Sequence, residues 1–175
     1  MQKIEALPNF KDKQSKIASK ELQIKKIQKH VLHCIYHTTP QSNDEKYYQF
    51  ETRIIPLVYH FGVLLIQLYL INCHWSMDYR LWLEKKNHYL KKVAKSRTLK
   101  TIFGEVIFER YYLEGKKKQE GFYPLDKILG LTRDGFSPTV INLASKLATR
   151  MSFSSVCLIF KKIHGWSAST VAMQR

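Results

Sequence analysis

Residues 136–175, FSPTVINLASKLATRMSFSSVCLIFKKIHGWSASTVAMQR, hold two helix starts, two apolar faces and one helix stop. Ser137 sets a capping hydroxyl ahead of Pro138, a residue suited to the first helical position. Val140, Ile141, Leu143, Ala144, Leu147 and Ala148 then recur at helical spacing. Ser152 is a second cap, and Phe153, Val156, Cys157, Ile159, Phe160 and Ile163 form a second apolar face. Gly165 can take the positive φ that ends a helix. Beyond Trp166, Ser167 or Ser169 can cap a third helix, which has barely begun at Arg175. The spacing therefore predicts a helix-turn-helix that is cut short. Its five basic residues (Lys146, Arg150, Lys161, Lys162 and Arg175) face no acid anywhere in the stretch. That geometry lets a helix enter a DNA major groove. A helical hairpin packed on another part of the chain would satisfy the same pattern, so the choice between them rests on the remaining sequence.

The whole chain is strongly basic. Its 175 residues carry a formal charge of +15, which favours polyanionic partners: DNA, RNA or acidic lipid. A hydrophobic content of 45% is enough for a core, so one domain, or two small ones sharing a core, is expected rather than disorder. Cys34, Cys73 and Cys157 are odd in number and far apart, which implies no disulfide framework and points to a reducing cytoplasm. Residues 1–20 are polar and lack the apolar centre of a signal peptide.

Working outward, residues 1–46 hold nine lysines against five acids. Ile17, Ile24 and Val31 repeat at seven, with Ile27 and Cys34 between them, so 13–36 is expected to be an amphipathic helix. Pro40 and the polar residues after it end the helix. His30, His33, Cys34 and His37 share one side of it, as zinc ligands would. One helix rarely supplies four tetrahedral ligands, and imidazoles near a helix C-terminus are favoured by the dipole alone. No metal site is expected there.

Residues 54–73 form a run about as long as the roughly 20 residues a membrane span needs. Pro56, His60, Gly62, Gln67 and Asn72 interrupt it, and His60, Gln67 and His74 fall at heptad spacing on one polar stripe. A central helix buried by neighbours on most sides is the expectation, with no membrane partner. Residues 81–95 read as a basic helix with Leu83, Leu90 and Val93 inward and Lys85, Lys86, Lys91, Lys92 and Lys95 outward. The period then changes. Residues 98–103 and 105–113, separated by Gly104, read as a β-hairpin. Val106, Phe108, Arg110 and Tyr112 share one face of its second strand, and Glu105, Ile107, Glu109 and Tyr111 the other. Lys116, Lys117 and Lys118 follow in a polar loop.

The order of these elements resembles a known family. Arg97-Thr98-Leu99-Lys100-Thr101-Ile102-Phe103-Gly104-Glu105-Val106-Ile107-Phe108-Glu109-Arg110-Tyr111-Tyr112 begins the likeness. Tyr123-Pro124-Leu125-Asp126, Leu129-Gly130-Leu131, Phe136-Ser137-Pro138 and Met151-Ser152-Phe153 continue it in order. Over residues 47–175 the chain resembles the N-terminal region of bacterial insertion-sequence transposases of the ISKra and ISLre type. The resemblance implies a DNA-binding region ahead of a separate RNase H-like catalytic domain, whose carboxylates hold two divalent metals. No segment here corresponds to that domain, since the last acid is Asp134, so no catalytic residue and no cofactor is expected in this chain. Many relatives carry Cys-x-x-Cys after the hairpin. Here Glu114-Gly115-Lys116-Lys117-Lys118 stands in that place, which argues against a zinc-stapled loop.

The expected fold is α+β and mostly α, with long helices, one β-hairpin and the C-terminal helix-turn-helix. Its segments are 1–46 (basic amphipathic helix), 47–95 (hydrophobic helical core), 96–125 (hairpin and loop) and 126–175 (helix-turn-helix). The expected function is a cytoplasmic DNA-binding fragment of such a transposase, without activity of its own. A standalone DNA-binding regulator and a membrane-associated basic protein are the alternatives. Double-stranded DNA is the expected partner: Lys161, Lys162, Ser167, Ser169 and Thr170 would meet phosphates or cap the last helix. Gln174 and Arg175 would face base edges. A homo-oligomer through helices 13–36 and 54–73 is a further expectation. No Gly-x-Ser-x-Gly elbow, phosphate loop or His-Glu-x-x-His motif suggests a hydrolase.

Overall fold

The computed structural model describes residues 10–76, 88–90, 95–115 and 120–166. Two long helices come first, α1 (Phe10–Tyr36) and α2 (Tyr47–Ser76). They run antiparallel: Gln23 of α1 donates to the Leu64 carbonyl and to Gln67 Oε1 of α2, while His37 at the other end meets Arg53. The connection is pinned by polar contacts. Gln49 reaches back to accept from the Lys46 backbone N–H at 2.8 Å, half of a capping box. Arg53 pairs with Glu45 at 2.7 Å and donates to the His37 carbonyl. The Gln41 N–H, and then Arg53, hold the Glu45 carboxyl below its ordinary range.

The sheet elements are small. β1 (His88–Leu90) pairs antiparallel with β4 (Leu113–Gly115), and β2 (Lys95–Thr101) with β3 (Gly104–Arg110). The β2–β3 register runs from Lys95↔Arg110 to Thr101↔Gly104 around a turn at Ile102 and Phe103. Thr101 Oγ1 accepts from the Phe103 N–H and donates to the Gly104 carbonyl, which closes that turn. The alternation in β3 is as predicted: Val106 and Phe108 are buried, whereas Glu105, Ile107 and Glu109 are exposed.

Three short helices complete the described chain: α3 (Pro124–Ile128), α4 (Pro138–Ala148) and α5 (Phe153–His164). Leu70 of α2, Leu99, Val106 and Phe108 of the hairpin, and Leu125 of α3 form one apolar core. Phe136, Val140, Ala144, Val156, Phe160 and Trp166 form the other, with Ile102 of the hairpin turn packed against it. The same turn also docks on α2. A Cβ at Gly62 would lie 2.4 Å from Phe103 Cγ, so the close approach of ring and helix requires glycine there. The architecture is α+β and mostly helical, in agreement with the pattern read from the sequence.

Three expectations need correction. The first is the helix over 81–95: its residues 88–90 are a strand and Lys95 opens β2, because the pairing of His88–Leu90 with Leu113–Gly115 overrides a helical pattern. The second is the strand over 105–113, which divides. β3 stops at Arg110, and Leu113 restarts pairing with Leu90 and, in an isolated bridge, with Phe122. Third, α2 is not buried by neighbours on most sides. Ile55, Val58, Leu65 and Tyr69 are exposed, while the polar residues His60 and Gln67 are turned toward α1. On α1 the inward residues are Gln23, Ile27, His30 and Cys34, and the heptad residues Ile17, Ile24 and Val31 stay exposed.

Candidate nucleic-acid interface

The C-terminal helix pair begins as its capping chemistry dictates. Ser137, in extended backbone, accepts from the Val140 N–H at 3.3 Å, with Pro138 opening α4. Ser152 does the same for α5, accepting from the Ser155 N–H at 3.3 Å. Gly165 ends α5 with φ 73°. A four-residue link, Thr149 to Ser152, joins the helices, tightened by the Arg150 and Met151 N–H groups donating to the Leu147 carbonyl.

One face of each helix is used to anchor the pair. Val140 and Ala144 of α4 close on Val156 and Phe160 of α5, with Phe136 and Trp166 at the two ends of the segment. The Trp166 ring lies 5.0 Å from Phe160 and 5.7 Å from Phe136. Its indole N–H donates 2.8 Å to the Thr101 carbonyl, which ties the end of α5 to the hairpin. The start of α4 is tied to the same strand. Lys100 N–H donates to the Gly135 carbonyl and Ser137 N–H to the Lys100 carbonyl, a parallel bridge centred on Phe136. Lys100 Nζ sits 5.7 Å from both the Phe136 and the Trp166 ring, a cation–π placement. His164 packs among Phe160, Trp166 and Tyr59, and burial pushes its pKa down, opposed by the nearby Ile102 backbone.

The outward faces carry basic and polar residues with some exposed apolar ones, Leu158 and Ile163 among them. Lys161 and Lys162 stand exposed on the last turn of α5, two turns beyond Ser154 and Ser155 on the same side. Lys146 at the end of α4 and Arg150 in the link are exposed as well. No acid occurs from residue 136 onward. Lys161 and Lys162 are therefore solvent-facing cations on a rigidly anchored helix, a placement suited to phosphate contact. Ser167, Ser169, Thr170, Gln174 and Arg175 lie outside the described residues, as do Lys116, Lys117 and Lys118.

A second basic surface lies between the long helices. Lys26, Lys29, His30, His33, His60, Leu64 and Gln67 line an open cleft of about 560 Å³. His30 Nε2 lies 2.8 Å from the Leu57 carbonyl and its ring meets His60 edge-on at 4.6 Å. Burial, and then the neighbouring His30, lower the pKa of His60. Along α1, His33 meets His37 edge-on at 4.4 Å, and Cys34 Sγ lies 3.4 Å from His30 Nε2.

Sequence reasoning missed one ionic cluster. Arg97 of β2 and Arg110 of β3 both pair with Asp126 of α3, and Arg97 also donates to the Thr132 carbonyl. The Arg110 guanidinium stacks 3.5 Å from the centre of the Tyr123 ring. Burial lowers the pKa of Arg97, and burial and then Arg97 bring Arg110 down to about 10. The cluster clamps α3 across the hairpin. The alternation that put Arg110 on the inward face of β3 was the only sequence signal for it, since Asp126 lies on a separate element.

A UPF0236 protein in vanSb 3'region of Streptococcus gallolyticus is 37% identical to this chain over 81 residues. The match spans 46% of this chain and only 18% of that protein. No family model matches the chain. No solved structure matches it.

Proposed function

We propose that this chain is a DNA-binding region of an insertion-sequence transposase, acting in the cytoplasm on double-stranded DNA. The observation that carries this reading is the acid-free α4–α5 pair, locked to the hairpin through Trp166 and Phe136 while Lys161 and Lys162 face solvent. A fixed helix with unopposed cations recognises the regular phosphate backbone, and the formal charge of +15 adds long-range attraction. The family resemblance over residues 47–175 supplies the transposase context. In transposases of that type strand transfer belongs to a separate metal-dependent domain, so no residue here is assigned a catalytic role.

Fluorescence anisotropy with a labelled duplex, titrated across salt, tests the reading. Binding should weaken steeply between about 50 and 200 mM salt. Lys161→Ala and Lys162→Ala should each lower the slope of log K against log salt by about 1, with unchanged thermal stability. Absence of binding at the low-salt end, or a slope indifferent to both substitutions, would refute this interface.

A further inference from the structure

The long helices pack inside out. Their seam is polar: Gln23 bonds Gln67, and His30 meets His60 and the Leu57 carbonyl. The apolar side chains lie on a different flank, and both helices present it to the same side. Lys26, Lys29 and His33 of α1 share their cleft with His60 and Gln67, and Gln67 also reaches the Ile107 carbonyl of β3. That side of the seam is therefore the one on which α2 meets the hairpin. Rotating about α1 at 100° per residue places Ile17, Ile24, Val31 and Ile35 on the opposite flank of the seam, and all four are exposed. On α2, Val63, Ile66 and Leu70 turn to the hairpin core. Ile54, Val58, Phe61, Leu65 and Leu68 turn away from it, half-buried or exposed. Their steps of four, three, four and three residues are those of an a/d seam.

We infer that this face, turned away from the β-hairpin, receives a second copy of the chain, so that two α1–α2 pairs form a four-helix bundle about a two-fold axis. Spacing and size select that occupant. An a/d row suits knobs-into-holes packing against another helix, which a lipid surface does not require. The apolar rows run about 27 Å along α1 (residues 17–35) and about 21 Å along α2 (residues 54–68). A face about 20 Å wide then offers about 500 Å², to which flanking residues of the long helices add toward the roughly 800 Å² per partner of a stable interface. The cleft lysines Lys26 and Lys29 lie on the other side, so the two copies do not bring those charges together. α2 is long and apolar enough to cross a membrane, with mean hydropathy 2.0 over an 18-residue window within Tyr47–His74. Spanning would carry the hairpin docked at Gly62, Val63 and Leu70 into the bilayer with it, unpaired strand edges included.

The test is sedimentation equilibrium of the full chain in about 0.5 M salt, which screens its net charge. The expected result is a species of twice the 20.7 kDa chain mass. Val58→Asp with Leu65→Asp should be monomeric with an unchanged helical spectrum, since these positions are 55% and 44% exposed in the single chain. The milder pair Val58→Ala with Leu65→Ala guards against misfolding. It should raise the dimer dissociation constant on the order of a hundredfold, because a two-fold axis repeats each truncation. A wild type that stays monomeric up to near-millimolar concentration overturns the inference, as does a dimer indifferent to both alanines. So does flotation of a monomeric wild type with phosphatidylcholine–phosphatidylserine vesicles that the aspartates abolish, which would assign the face to lipid.

Discussion

The chain contains two helix pairs built on opposite plans. α4 and α5 close on an apolar seam and show serines and lysines, with Leu158 and Ile163, to solvent. α1 and α2 close on glutamines and histidines beside Ile27 and Leu64, and leave a row of valine, leucine and isoleucine outside. An apolar stripe states that a face is covered in the working molecule. It does not state by what. In the C-terminal pair the cover is the partner helix and the hairpin turn. In the N-terminal pair no described residue covers it, and a second copy is our inference.

The sharpest way to break this comparison is at the C-terminal seam. Phe160 is fully buried between α4 and Trp166, so Phe160→Ala should cost about 3–5 kcal/mol in urea unfolding. A cost near zero would mean that the α4–α5 core is not what holds that region.

Acid comes next. Burial alone lowers the His74 pKa to about 4 from 6.5. The unfolded chain therefore binds a proton near pH 6.5 that the folded chain refuses until about pH 4, so stability falls as pH drops through that window and is level above it. The His74 share of the fall should be on the order of 2–3 kcal/mol. His74→Gln should flatten the wild-type curve by that amount, as read from unfolding midpoints across pH. Parallel curves would show that His74 is as solvated folded as unfolded.

The smallest effect belongs to the polar seam. Replacing Gln23 and Gln67 together by leucine removes both partners of their mutual hydrogen bond, together with their bonds to the Leu64 and Ile107 carbonyls, and should change stability by no more than about 1 kcal/mol. A loss above about 2 kcal/mol would show that the glutamine contacts, rather than helix burial, hold α1 to α2.

Much of the fold was legible locally. Ser137-Pro138, Ser152 and Gly165 set the limits of α4 and α5 because caps act within one turn of chain. The alternation in 105–109 revealed the inward face of β3 because a strand reverses its side chains at every residue. Lys161 and Lys162 fall on the open side of α5 by the helical period. What stayed hidden were contacts between distant segments. Leu90 reads as an inward helical residue until Leu113 is beside it. Asp126 reads as a helix-start acid until Arg97 and Arg110 converge on it.

The sequence by itself determined where α4 and α5 start and stop, the hairpin, and the concentration of positive charge, since each depends on neighbours a few residues away. Only the tertiary structure decided which flank of each long helix faces its partner. Ile17, Ile24 and Val31 repeat at the same seven-residue interval as Gln23, His30 and His37. A period states that a helix has faces. Which of them is buried depends on which residues of α2 come alongside, 41 and 44 positions away in the case of Gln23, and those neighbours exist only once the chain has folded.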